Sequence, residues 1–174
     1  MPVILTASLA LLLAAPPAIG ADEQIVRGLF PEADLVEAKD LLLTVEMVAR
    51  IEQLARTRVR ERMVTFYTAR RAGGVVGYAA IHAHVVRTKR ETLALAFEAD
   101  GRIRRINILA FLEPAEYRPP DRWLAQFEGK GSADRLAIGD DIAPITGATL
   151  SARGIAEQAR WLLAALQQAR EARP

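Results

Sequence analysis

The stretch ETLALAFEADGRIRRINIL, Glu91 to Leu109, constrains the fold most, because its pattern fits a β-hairpin and little else. Leu93, Leu95 and Phe97 alternate with Thr92, Ala94, Ala96 and Glu98, and Asp100-Gly101 supplies turn residues that tolerate positive φ. On the return strand Ile106, Ile108 and Ala110 are expected on one face. A second pair precedes it. MVTFYTARR is rich in β-branched and aromatic residues, AGG (Ala72 to Gly74) turns the chain, and VVGYAAIHAHVV reads as the partner strand. Gly77 inside that run signals a bulge or a close backbone approach.

Helical spacing frames these strands. Thr44 is placed to cap a helix in which Val45, Val48, Ile51, Leu54 and Ala55 recur. A short helix capped by Asp121 puts Trp123, Leu124 and Phe127 on one face, and Gly129 ends it. A long helix from about Ser151 to Glu171 buries Ile155, Ala159, Leu162, Leu163 and Leu166. Ala21 to Asp40 reads as a polar, Pro-containing entry. The sum is a single α+β domain, a mainly antiparallel four-stranded sheet packed by an N-terminal helix, a short helix and a long C-terminal helix.

Composition narrows the function classes. Twenty Arg and three Lys (Lys39, Lys89, Lys130) are scattered without a dense block, and the formal net charge is +2, which describes a solvated surface and no nucleic-acid tail. No cysteine occurs, so disulfides, thiolate metal sites, iron–sulfur ligation and thiol redox chemistry are excluded together. An uncharged apolar run from Val3 to Ala15, then Pro16-Pro17 and the small residues Ala18 and Gly20, has the layout of a secretory signal peptide over residues 1–20. The run is shorter than the roughly 18 apolar residues of a spanning helix. No Lys or Arg precedes it, so retention as an uncleaved anchor is the alternative to a mature chain of residues 21–174. The periplasm is the expected compartment either way.

The chemistry centres on DDIAPITGATLSARGI, Asp140 to Ile155. On spacing alone the ordinary explanation is favoured: Thr149 or Ser151 caps the helix and Gly147 permits the turn before it. The same geometry also suits a phosphate, because the first turn of a helix leaves backbone N–H groups unpaired at the positive end of the dipole. Neither Gly-Lys-Ser/Thr nor Gly-x-Gly-x-x-Gly is present, which excludes the common noncovalent nucleotide cradles.

Asp141 to Ile155 resembles the attachment motif of the FMN-binding domain family, in which Ser/Thr-Gly-Ala-Thr carries FMN through a phosphodiester to its last threonine. Members include periplasmic flavin subunits of the RNF and sodium-pumping NADH:quinone oxidoreductase complexes and NosR-type regulators; this chain looks closest to the small single-domain members. RWLAQFEGKG, the preceding hairpin and the following helix extend the resemblance over Met63 to Leu166. It implies FMN on Thr149, with Thr146, Gly147, Ala148, Leu150 and Ser151 forming the turn around the phosphate, and a flavin transferase that installs it. Where the family usually has an acid, six positions before the acceptor, this chain has Ala143, with Asp140 and Asp141 slightly earlier. LEPAEYRPPDRW stands in place of the Glu-Thr-Pro-Gly-like segment of the large respiratory complexes, which argues against either pump. The implied function is an exported electron carrier between a membrane redox module and a periplasmic acceptor, not a substrate-converting enzyme. The alternatives are a periplasmic binding or regulatory module of the same fold without covalent flavin and, more weakly, a flavin-dependent reductase.

Other residues have plainer readings. His82 and His84 share a strand face as half a metal site would, but with no further His or Cys they are read as packing or surface residues, a contact with the flavin ring being the alternative. Trp123 and Phe127 are read as core. Tyr78 is left between packing and a ring contact. Lys130 and the Asp140-Asp141 pair are read as solvated loop residues, with a phosphate contact the alternative for Lys130. No Ser-His-Asp or Cys-His arrangement is legible.

Overall fold

A computed structural model describes residues 20–171; the leader read at residues 1–20 lies outside the described residues apart from Gly20. Five strands pair antiparallel in chain order: β1 (Leu35–Leu42), β2 (Met63–Arg71), β3 (Gly74–Val85), β4 (Arg90–Glu98) and β5 (Ile103–Phe111). The α+β class holds, but the sheet has five strands, not four. The added strand is β1, an edge whose Glu37, Lys39 and Asp40 are exposed and whose Val36 alone is buried, so it lacks the alternation that marks a strand in sequence.

Helix α1 (Ala21–Leu29) also falls in the segment read as irregular entry. It covers one face of the sheet. Val26 and Phe30 pack with Ala69, Ala79 and Ala96, so Ala96, which alternates with the apolar residues of the hairpin pattern, is fully buried on this face. The close approach expected at Gly77 is here, since a Cβ would collide with the Phe30 ring and the Phe97 carbonyl oxygen, and β2 shifts register opposite it, between Ala69 and Arg70.

Helices α2 (Val45–Ala55) and α4 (Thr149–Glu171) cover the other face over Leu93, Leu95, Phe97, Ile103 and Ile106. Thr44 caps α2 by accepting from the Met47 N–H at 3.2 Å. On α4 the expected stripe of Ile155, Ala159, Leu162, Leu163 and Leu166 is buried. Arg160 ties the two helices to the loop before the site, donating to the Ala55 carbonyl at 2.9 Å and to the Leu136 carbonyl at 2.8 Å.

Two local expectations are corrected. The register shift opposite Thr92 and Leu93 pairs Ile108 with Leu93 and Ala110 with Thr92, so a bulge at Leu109 turns Ala110 to the face opposite Ile108. Asp121 is the first residue of α3 (Asp121–Leu124) rather than its cap, which is Pro120 with no side-chain bond. Among the described residues no helix is long and apolar enough to cross a membrane.

Candidate functional site

The segment after α3 grips the loop that leads into α4. The Trp123 indole N–H donates to the Ala143 carbonyl at 2.8 Å, and the Ala143 N–H donates to Gln126 Oε1 at 2.8 Å. Thus Ala143, where an acid was expected, is pinned through its backbone. Asp141 does the organising instead, accepting from the N–H groups of Ala137 at 2.7 Å and Leu136 at 3.0 Å, with Lys130 Nζ 3.5 Å away. Burial raises the pKa of Asp141, and those N–H groups with Lys130 outweigh it, so the carboxyl sits below its ordinary value. The solvated-loop reading therefore fails for Asp141 and Lys130, which are half-buried partners, while Asp140 pairs with Arg135 at 2.6 Å on the surface.

The loop delivers Thr146 and Gly147, both exposed, with Gly147 at φ +85° where a side chain would be strained. The first bond of α4 runs from the Ala152 N–H to the Ala148 carbonyl at 2.9 Å. Ala148 is therefore the N-cap, and it has no side chain that could cap. Thr149 stands at the first helical position, exposed, and Ser151 in the same turn is 1% exposed. Neither hydroxyl caps the helix, and the N–H groups of Thr149, Leu150 and Ser151 find no acceptor among the described residues. The ordinary capping explanation for Thr149 and Ser151 does not hold.

A half-open cavity of about 170 Å³ lies against this turn. Gly147, Ala148, Thr149, Leu150 and Ser151 form one part of its wall, and Val86, Arg87, Glu113 and Tyr117 form the rest. The sheet brings the two parts together. Arg87 belongs to the turn joining β3 to β4, and Glu113 follows β5, where the Leu112 N–H donates to the Arg90 carbonyl at 3.1 Å. The Glu113 carboxylate accepts from the N–H groups of Thr88 and Lys89, both at 2.7 Å, and Arg87 at 3.3 Å, and these bonds hold its pKa below the ordinary value. Glu113 thereby fixes the turn from which Arg87 enters the cavity wall. Leu150, which lines the cavity, is 50% exposed, and Val85 and Leu112, each next in sequence to a lining residue, are 62% and 63% exposed.

Sequence reasoning missed Val86, Arg87, Glu113 and Tyr117. Their membership depends on strand pairing, and the one local signal is an acid followed at once by Pro114. A larger groove of about 500 Å³ runs between β5 and α3, but it contains no residue of the Thr149 turn. Volume alone is a weak guide here, because the unpaired helix N–H groups and the exposed hydroxyl are at the smaller cavity.

The other candidates fall elsewhere. Tyr78 is 6% exposed in the first half of β3, with the Arg170 guanidinium 5.9 Å from its ring centre, and does not line the cavity. Trp123 and Phe127 are core, as expected, with ring centres 5.4 Å apart. His82 and His84 are packing residues under α4: His82 meets the Trp161 ring edge-on at 4.9 Å, and neither lines the cavity, so a direct ring contact finds no support. Burial, offset by Glu61, pushes the pKa of His82 below 6.5. Among the described residues no group of three or more His, Asp or Glu is placed to hold a metal.

No family model matches the chain, and no curated protein matches it.

Proposed function

We propose that the chain is an exported electron-transfer flavoprotein that carries FMN through a phosphodiester to Thr149 and relays electrons between a membrane redox module and a periplasmic acceptor. The observation that carries this reading is the state of the Thr149 hydroxyl. It is exposed at the first position of a 23-residue helix, free of any capping duty, beside a cavity.

The surrounding residues fit a phosphoryl group and a flat ring. Thr149 supplies the ester oxygen. The N–H groups of Thr149, Leu150 and Ser151 and the positive end of α4 suit the phosphate, and Arg87 offers a cation from the facing turn. Ala148, 3% exposed, and Gly147 leave the approach to the backbone open, while Val86, Leu150 and Tyr117 give apolar surface for the ring. At about 170 Å³ the cavity is smaller than the roughly 300 Å³ at which sites enclose a ligand of this size, so these residues hold one edge and leave the other to solvent. FMN, when bound, accepts two electrons and releases them singly. An open edge suits exchange with protein partners better than closure over a substrate. The apolar run at Val3 to Ala15 supports export.

The test is coexpression with a flavin transferase followed by denaturation. Flavin fluorescence that migrates with the polypeptide and is lost in Thr149→Val supports the reading. A colourless product beside an active transferase favours the binding module, and oxidation of NAD(P)H by the flavinylated protein alone favours the reductase.

A further inference from the structure

We propose that one end of the sheet docks on the surface of an anionic lipid bilayer, whether or not Thr149 carries a flavin. Val36, Ala69, Ala79 and Ala96 pack with Val26 and Phe30 of the α1 segment. Six residues away on the same strands stand Leu42, Met63, Val85 and Arg90, all exposed. An even spacing keeps the second set on the same face as the first, about 20 Å away at ~3.3 Å per residue. Leu42 pairs with Met63 and Val85 with Arg90, and the Leu112 N–H donates to the Arg90 carbonyl at 3.1 Å, so these residues form one row across the end of the sheet. Helix α1 covers half of that face and leaves the row bare.

The bare apolar surface is concentrated there. Among the described residues eight large apolar side chains are exposed, and six of them stand at this end: Leu42, Val45, Met63, Val85, Leu112 and Leu150. Clustered apolar exposure marks an interaction site, whereas single exposed residues need no explanation. Five cations rim the cluster. Arg60 and Arg62 precede β2, and Arg87, Lys89 and Arg90 stand where β3 turns into β4. All five are exposed, and none has an ion-pair partner among the described residues. On this half of the face the one acid in the described strands is Asp40, which accepts from the Thr65 hydroxyl at 2.6 Å. With Glu46 in the first turn of α2 it leaves the end net cationic.

Anionic lipid fits this chemistry better than the other covers do. The row is aliphatic, with no aromatic anchor of the kind that protein interfaces bury. Aliphatic side chains entering the headgroup boundary, with Lys and Arg reaching phosphates beside them, are the two contributions that hold peripheral proteins on anionic membranes. The chain's own leader is the other cover to weigh. Helix α1 runs from Asp22, whose carboxylate accepts from the Tyr67 hydroxyl at 3.2 Å, to Phe30 against Gly77, so the chain enters the fold from the bare half. The residues before Asp22 bear no charged side chain and offer the five cations no partner. An apolar leader held in the bilayer would bring the same face to the same surface. Val86, next to Val85, lines the Thr149 cavity, so docking turns that cavity toward the membrane.

The chain from Ala21, which holds every described element and both core clusters, is floated with vesicles of phosphatidylglycerol and phosphatidylcholine in equal parts, and with phosphatidylcholine alone. Wild type is expected to bind the first and not the second, and to be released by salt. Lys89→Gln with Arg90→Gln is expected to weaken binding about 25-fold. Met63→Ser with Val85→Ser is expected to weaken it at least about 10-fold, and Leu35→Ser, at the opposite end, to bind as wild type. Thermal melts check that each variant is folded; should a double variant not fold, the two wild-type vesicle measurements and their salt dependence decide. Absent wild-type binding, equal binding to both vesicles, or an equal loss in Leu35→Ser overturns the proposal. So does a wild-type dimer that Met63→Ser with Val85→Ser dissociates while neither form binds vesicles, which assigns the face to a second copy.

Discussion

Glu113 and Thr149 line one cavity, Glu113 from the segment after β5 and Thr149 from the first turn of α4. Glu113 reaches the site through the turn that it holds, so Glu113→Ala frees the N–H groups of Arg87, Thr88 and Lys89 together. The expected outcome is a lower melting temperature together with reduced flavin loading. Parallel thermal melts and absorbance-based loading assays check it, and unchanged values in both would contradict it.

Arg87 separates binding from stability. Its side chain is exposed and its backbone N–H makes the Glu113 contact, so Arg87→Ala is expected to lower flavin loading several-fold without moving the melting temperature. The measurement is loading after a fixed time with limiting transferase. Equal loading would remove Arg87 from the phosphate's surroundings.

The readable and unreadable parts of the chain differ for physical reasons. Leu93, Leu95 and Phe97 announce a strand because α2 and α4 cover them, and Thr44 announces a helix because the cap is chemical and local. Strand β1 hides because it is an edge held by backbone pairing with β2 while most of its side chains, Val36 and Leu41 apart, face water. In α1 and at its C-cap, Val26 and Phe30 carry the main packing, too few to make a periodic pattern. The Thr149 turn is legible as a contiguous stretch. Glu113 is not, since the residues it holds lie 24 to 26 positions away in sequence. His84 falls between these cases: it stands out in the sequence, but the buried Glu91 opposite it is given only by the β3–β4 register.

Gly77→Ala tests the packing of α1 on the sheet. The added methyl meets the fully buried Phe30 ring and the Phe97 carbonyl oxygen. A loss of about 3 kcal/mol is expected in urea denaturation. A loss under about 0.5 kcal/mol would mean that α1 does not pack against Gly77 as described.

Arg160→Met keeps most of the side-chain volume and removes the donors to Ala55 and Leu136. Two carbonyls then lose their partner, at a cost of about 1–3 kcal/mol in the same assay. No change would show that solvent replaces both bonds.

His82 gives the stability a pH dependence of definite sign. Burial holds its folded pKa below 6.5, so the unfolded chain binds the proton more readily. The contribution is full above about pH 6.5 and is lost as pH falls through the folded value. His82→Gln is expected to flatten that part of the stability curve. Glu113, also depressed, adds a second loss below its ordinary value of 4.5. Melting temperatures from about pH 2.5 to 8 distinguish the two, and a wild-type curve that rises on acidification would contradict both.

The most direct test of the central claim is intact-mass and peptide mass spectrometry of the protein from its native host. A mass increased by one FMN less one water, localised to the peptide containing Thr149, is the expected result. The unmodified polypeptide alone, in cells that make an active flavin transferase, would contradict the account.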